Sequence, residues 1–170
     1  YMSDAIAERS ISIFFKRGAD DISEIAKKRS PRLAFLAGSV HLASFREVYS
    51  QPFDLVLVDN FEQAASMLKT GKIDAFINES VSDCFFVEYS FVQSKPFFPL
   101  VYIPVSLTTE KEELRHLISA LNKYLAAGGH EKLARLYADG ENSYKHYGLF
   151  KSFTPVERNY IERAALSGEI

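Results

Sequence analysis

Three short stretches carry side chains that binding chemistry can use: Gly38-Ser39-Val40-His41, Asp59-Asn60 and Asn78-Glu79-Ser80. A Gly-Ser pair between an apolar run and a helical pattern offers backbone N–H groups and the positive end of a helix dipole to a carboxylate or a similar anion. Glu79 offers a counter-charge to an ammonium group. The candidate ligand-binding residues are therefore Gly38, Ser39, Val40, Asn78 and Glu79, with Asp59, Asn60 and His41 as secondary candidates. A plainer reading stands beside each one. Ser39 caps its helix and Gly38 relieves the turn, Asp59 and Asn60 cap their own helix, and His41 is a surface residue of a first turn.

Several enzymatic readings of the turn fail on spacing. A dinucleotide loop needs three spaced glycines, and "LAGSVHL" has Gly38 alone. A phosphate-cradling loop needs Lys-Ser/Thr after a second glycine, and a nucleophile elbow needs Gly-x-Ser-x-Gly. No catalytic residue, metal site or cofactor is assigned.

The candidates need elements to hold them. Residues 10–16, "SISIFFK", read as a strand and "DDISEIAKK" as a short capped helix. Residues 33–36 form a buried strand, and residues 40–49 a helix with Leu42, Phe45, Val48 and Tyr49 on one face. "FDLVLV" is a second strand. Asn60 and Gln63 make a capping-box pattern, and Phe61, Ala64, Ala65 and Leu68 keep the helical period until Gly71 stops it. "KIDAFIN" is a third strand. Strand, helix, strand, helix, strand with short links implies parallel strands and right-handed crossovers, so the three candidate stretches follow strand ends along one sheet edge, where ligands of such folds bind. A carboxylate held at Ser39 and an ammonium at Glu79 would suit a zwitterion such as an amino acid.

Beyond the third strand the pattern predicts a helix over residues 81–89, a short extended piece at 91–93, and an extended "LVYIPVSLTT" in which Pro104 argues for an edge or a crossover. Thr109 and Glu112 open a further helix as a capping box. Its stripe is Leu114, Leu117, Ile118, Leu121 and Leu125, and Gly128-Gly129 ends it. "HEKLARLYADG" is another helix, and Thr154, Pro155 and Glu157 open the last.

Composition sets the frame. The 170 residues, 47% apolar, support a real core, as one domain or two small lobes. Twenty basic and 22 acidic side chains leave a formal charge of −2, which gives nucleic acid or an anionic membrane nothing to grip. Cys84, among apolar neighbours in "SDCFFVEY", is predicted to be a buried, unpaired thiol. The most apolar run, "FFPLVYIPVSL", is too short to span a bilayer. A start at Tyr1 and an end at "SGEI" predict a piece of a longer protein.

The residues "LAGS" followed by "AASMLKTGKIDAFINES" resemble the amino-acid-type solute-binding proteins, the type II periplasmic binding family, whose second lobe carries "L-x-x-G-K/R-I/V-D-A" at this place. Leu68, Gly71, Lys72, Ile73, Asp74 and Ala75 match it. The resemblance covers roughly residues 10–150. It implies an α/β fold: a type II lobe with a parallel βαβαβ sheet, flanking helices and added C-terminal helices. It divides the chain into the end of a first lobe and the approach to the hinge at 1–28, the second lobe at 29–98, the return hinge strand and closing helices at 99–150, and a C-terminal linker helix at 151–170. Asp74 takes a structural role, and Glu79 falls where many members place the acid that meets a ligand ammonium, usually an Asp. Most of the family's first lobe has no counterpart here, and Arg9 lies outside its usual arginine motif, so that role is not transferred. The helices over 110–144 should then show an apolar face, inviting a homodimer.

The tail "FKSFTPVERNYI" is similar to the segment by which sensor ectodomains of histidine kinases and cyclic-dinucleotide enzymes join their membrane helix, with Phe153, Thr154, Glu157, Tyr160 and Ile161 in place. The resemblance therefore implies a non-enzymatic sensor domain. It would be periplasmic or otherwise extracytoplasmic, tethered to the membrane by segments outside this chain, and would bind an amino acid or organic anion between two lobes and signal by hinge closure. The alternatives are the receptor of an ABC transporter and, further off, a dehydratase or transglycosylase with Glu79 as its acid or base.

Overall fold

The computed structural model describes residues 1–167, which fall into two compact units: Ala7–Leu107, and Tyr1–Ile6 with the chain from Thr108 onward. In the first unit the strands β1 (Ala7–Lys16), β2 (Arg32–Leu36), β3 (Asp54–Val58), β4 (Ala75–Glu79) and β5 (Val92–Pro96) form a sheet in the order β3-β2-β4-β1-β5. The β3-β2-β4 ladder is parallel, as the alternating strand and helix pattern predicts. β1 lies antiparallel between β4 and β5, and its first residues pair with β6 (Tyr102–Val105). Pro104 sits opposite Glu8 on this short strand, whose pairing is with β1.

Alternation sorts the core into two faces, since successive strand side chains point to opposite sides. Ile11, Ile13, Leu33, Phe35, Ala75 and Ile77 pack on one side with Ile22 of α1 (Ile22–Ala26) and Phe45 of α2 (His41–Val48). Phe14, Ala34, Val58 and Phe76 pack on the other with Ala64, Ala65 and Leu68 of α3 (Phe61–Lys69) and Phe86 of α4 (Asp83–Phe86). Phe14, Phe35, Phe45 and Phe76 are fully buried, each contributing about 1.5–3 kcal/mol relative to an exposed ring. Asn60 accepts the Gln63 N–H at 2.8 Å, and the Gln63 side chain accepts the Asp59 N–H at 2.7 Å, so the capping box of α3 closes one residue upstream. Asp74 ties the lower edge of the sheet together: its carboxylate takes Arg29 at 2.7 Å, the Arg32 guanidinium at 2.8 Å and the Arg32 N–H at 2.7 Å.

The structure corrects two expectations in this unit. The helix expected over 81–89 is a 3-10 turn, Ser80–Ser82, followed by the four-residue α4. Because Ser82 and Phe86 supply the buried positions of that short helix, Cys84 falls on its open side and is exposed rather than buried.

In the second unit, Lys111 N–H donates to the Thr109 hydroxyl ahead of a 3-10 turn at Glu112–Leu114, and α5 (Arg115–Tyr124) follows. The chain passes through a single wide turn at Leu125–Gly129 into α6 (His130–Ser152), well beyond the expected end, and then α7 (Pro155–Ser167). Gly128 makes the break at φ 97°, a conformation costly for residues with a Cβ. Thr154 and Glu157 cap α7 reciprocally, with Thr154 N–H on the carboxylate at 2.7 Å and Glu157 N–H on the Thr154 hydroxyl at 3.3 Å. The linker segment expected at 151–170 extends beyond the described residues. No helix among the described residues is long and apolar enough to cross a membrane.

Candidate ligand-binding site

The carboxyl ends of β2 and β4 open into one crevice of the first unit. It is lined by Gly38, Ser39, Val40 and His41 after β2, by Asn78 and Glu79 at the end of β4, and by Arg9 from β1. Phe61, Val81, Cys84 and Phe85 complete its apolar part. The fold thus gathers the first and third sequence stretches. Asp59 and Asn60 are instead exposed at the head of α3, engaged in its cap.

Each polar side chain is held. Gly38 takes φ 76°, which lets the chain turn out of β2, and Ser39 N–H donates back to Leu36 C=O at 3.1 Å. The Ser39 hydroxyl accepts the His41 N–H at 3.1 Å and also meets His41 Nδ1. The residue before α2, Val40, has helical backbone and makes no side-chain cap, so the capping bond sits one residue earlier, on Ser39. Burial pushes the His41 imidazole below its ordinary pKa, with the Glu79 carboxylate pulling the other way. Asn78 is buried, stands opposite Ser12 of β1, and accepts the Glu79 N–H at 2.9 Å, orienting the last residue of the strand.

One charged residue of the crevice was not foreseen. Arg9 donates from Nη1 to Glu79 Oε2 at 2.7 Å, while its Nε is buried without a hydrogen-bond partner. Arg9 and Glu79 keep the alternation of Ile11 and Ile77, and so stand on the α2 side of the sheet. A strand pattern begun at Ala7 instead of Ser10 would have placed Arg9 on that face. Phe61 and Phe85 belong to the opposite, α3 and α4 side. The crevice therefore has an ionic wall and an aromatic wall. Among the described residues no group of His, Cys, Asp or Glu is arranged to hold a metal.

No protein-family model matches the chain, and no curated protein does. Solved structures do. The periplasmic VFT2 domain of Bordetella pertussis BvgS is 21% identical, with a TM-score of 0.64 over 82% of this chain and 60% of that one. The fold is that of the type II periplasmic binding proteins. An ancestral arginine-binding protein bound to arginine is likewise 21% identical, with a TM-score of 0.56 over 79% of this chain and 62% of that one. The amino acid ABC transporter substrate-binding protein AbpA of Streptococcus pneumoniae, bound to L-arginine, is 16% identical with a TM-score of 0.56, covering 78% and 58%. The chain thus spans about three fifths of the length of these type II proteins.

Proposed function

We propose that this chain is the second lobe and closing helices of an extracytoplasmic sensor domain that binds an amino acid or similar zwitterion between two lobes and signals by hinge closure. The observation that carries the reading is the gathering of Arg9, Ser39, His41, Asn78 and Glu79 into one crevice at the carboxyl ends of β2 and β4, on a fold whose solved examples include the periplasmic VFT2 domain of BvgS and amino-acid-binding proteins. In this reading Glu79 takes the ammonium, and the carboxylate lies toward Arg9 and the turn at Gly38–His41. The Ser39 and His41 N–H groups are already spent within that turn, which makes Arg9 the stronger carboxylate partner. The ion pair opens to admit a ligand ion pair of the same polarity, and net charge is conserved.

Closure acts through β1 and β6, and the output leaves through α7. The protein is membrane-tethered by segments outside this chain, and α5 and α6, with Leu117, Tyr124, Leu136 and Tyr137 exposed, pair two copies. A monomeric mass for the intact protein in solution scattering would remove that last element.

The deciding experiment is a thermal-shift screen of the intact protein against amino acids, organic acids and small peptides, with Glu79→Ala alongside. A ligand at a hundred times its dissociation constant adds about 2.7 kcal/mol of stability. A compound that stabilises the native protein and not the variant supports the reading. Silence across the panel removes it. The TM-score of 0.56 to the pneumococcal receptor keeps transport as the second reading, and growth on the bound solute after disruption of the gene separates transport from sensing.

A further inference from the structure

We infer that the solute carries an aromatic side chain, seated on the ring of Phe85. The inference rests on the small-solute reading above and adds its chemical class. Phe85 is 54% exposed, whereas Phe14, Phe35, Phe45, Phe76 and Phe86 of the same unit are buried. It is not a loose surface ring. Phe61 stacks on it at 4.2 Å between centroids and 9° between planes. Phe61 is in turn wedged edge-on against Phe76 at 5.8 Å and Phe86 at 5.9 Å, each at 86°, and both of those rings are buried. Core packing thus fixes one face of Phe85 through a second ring, while the residue as a whole remains open in the crevice that holds Arg9 and Glu79.

A rigid aromatic surface costs little conformational entropy when a ligand settles on it, and aromatic rings gain from stacking, as Phe61 and Phe85 already do. Val40, Val81 and Leu36 line the same crevice and extend the apolar surface. A guanidinium could also stack on a phenylalanine, but the cation Arg9 lines the same crevice, with Glu79 as its counter-ion. A ligand with a zwitterionic head and a neutral flat side chain satisfies both walls.

The test is isothermal titration of the intact protein with L-phenylalanine, L-tyrosine, L-tryptophan, L-leucine, L-alanine and L-arginine, using the native sequence, Phe85→Ala and Phe85→Tyr. The expected result is aromatic ligands bound at least about tenfold tighter than L-alanine. Phe85→Ala should erase that ratio, and Phe85→Tyr should retain it. An unchanged ratio in Phe85→Ala, or tighter native binding of L-leucine or L-arginine than of every aromatic ligand, overturns the aromatic assignment alone. Binding of none of the six removes the amino-acid reading together with it.

Discussion

Arg9 on β1 and Glu79 at the end of β4 meet at 2.7 Å, 70 residues apart in sequence and both facing the crevice. The side chains remain 35% and 27% exposed, so water screens the pair and its net contribution to stability is small, under about 1 kcal/mol. In the proposed reading its importance is to ligand charge. Arg9→Ala is expected to weaken amino-acid binding by about 1.5–3 kcal/mol, the range for a charge-assisted hydrogen bond, and Glu79→Gln to do the same. The two separate with a ligand that lacks the amine. Glu79→Gln should spare binding of the des-amino acid, whereas Arg9→Ala should weaken it. Calorimetry with paired ligands checks this, and equal losses in both variants would contradict the assignment.

His41 gives a pH signature. Burial disfavours its imidazolium, so the folded protein holds a neutral ring at neutral pH. The unfolded chain then binds the proton more readily: the stability tied to this group is full above about pH 6.5 and declines as pH falls below it. Glu79 opposes the shift, so Glu79→Gln should lower the His41 pKa further. Imidazole titration by NMR reads it directly, and a rise in the variant would refute the coupling.

Asp74 works in the other direction. Burial alone would raise its carboxyl, but hydrogen bonds from Arg29, from the Arg32 side chain and from the Arg32 N–H hold it far below the usual carboxylate range. Stability from this group is present above the unfolded value near pH 4 and is lost as pH falls toward the folded one. Asp74→Asn should cost on the order of 2–3 kcal/mol at pH 7 and much less in strong acid. Chemical denaturation at pH 7 and pH 2 tests it, the gap between native and variant narrowing in acid; a pH-independent loss would point to packing instead.

Gly38→Ala isolates backbone strain, because an added Cβ would meet nothing within 4 Å while φ stays at 76°. The expected cost is about 1–2 kcal/mol, with Gly38→Asn less severe. Gly129→Ala should fail for a different reason, since its Cβ would lie 2.5 Å from the Tyr124 ring and 2.8 Å from the Tyr124 carbonyl oxygen. Thermal denaturation of the three variants ranks them. A neutral Gly129→Ala would show that the turn after α5 yields.

The elements from β2 to β4 were legible because local signals agree: short apolar runs bounded by polar residues in "RLAFL" and "DAFIN", a capping box at Asn60, and Gly71 where α3 stops. Relations between distant residues were not. Nothing local says that β1 runs antiparallel between β4 and β5, or that Arg9 reaches Glu79. Cys84 and Phe85 were hidden for another reason. "SDCFFVEY" is apolar throughout, and in a four-residue helix periodicity is too short to say which of Cys84, Phe85 and Phe86 turns inward. Their neighbour Phe61 decides it, and that contact exists only in the folded chain.

The position of β1 also sets the order in which the first unit assembles. The ladder β3-β2-β4 joins segments close in sequence, but β1 pairs with β4, β5 and β6, whose residues lie more than 60 positions downstream. Long loops must close before those pairs form, which slows folding. The parallel ladder is therefore expected to nucleate, and the first-made strand to join last. Ile13→Val should accelerate unfolding while barely changing the folding rate, and Ile77→Val should slow folding. The crevice, built jointly by β1 and β4, then exists only after the last strand is in place.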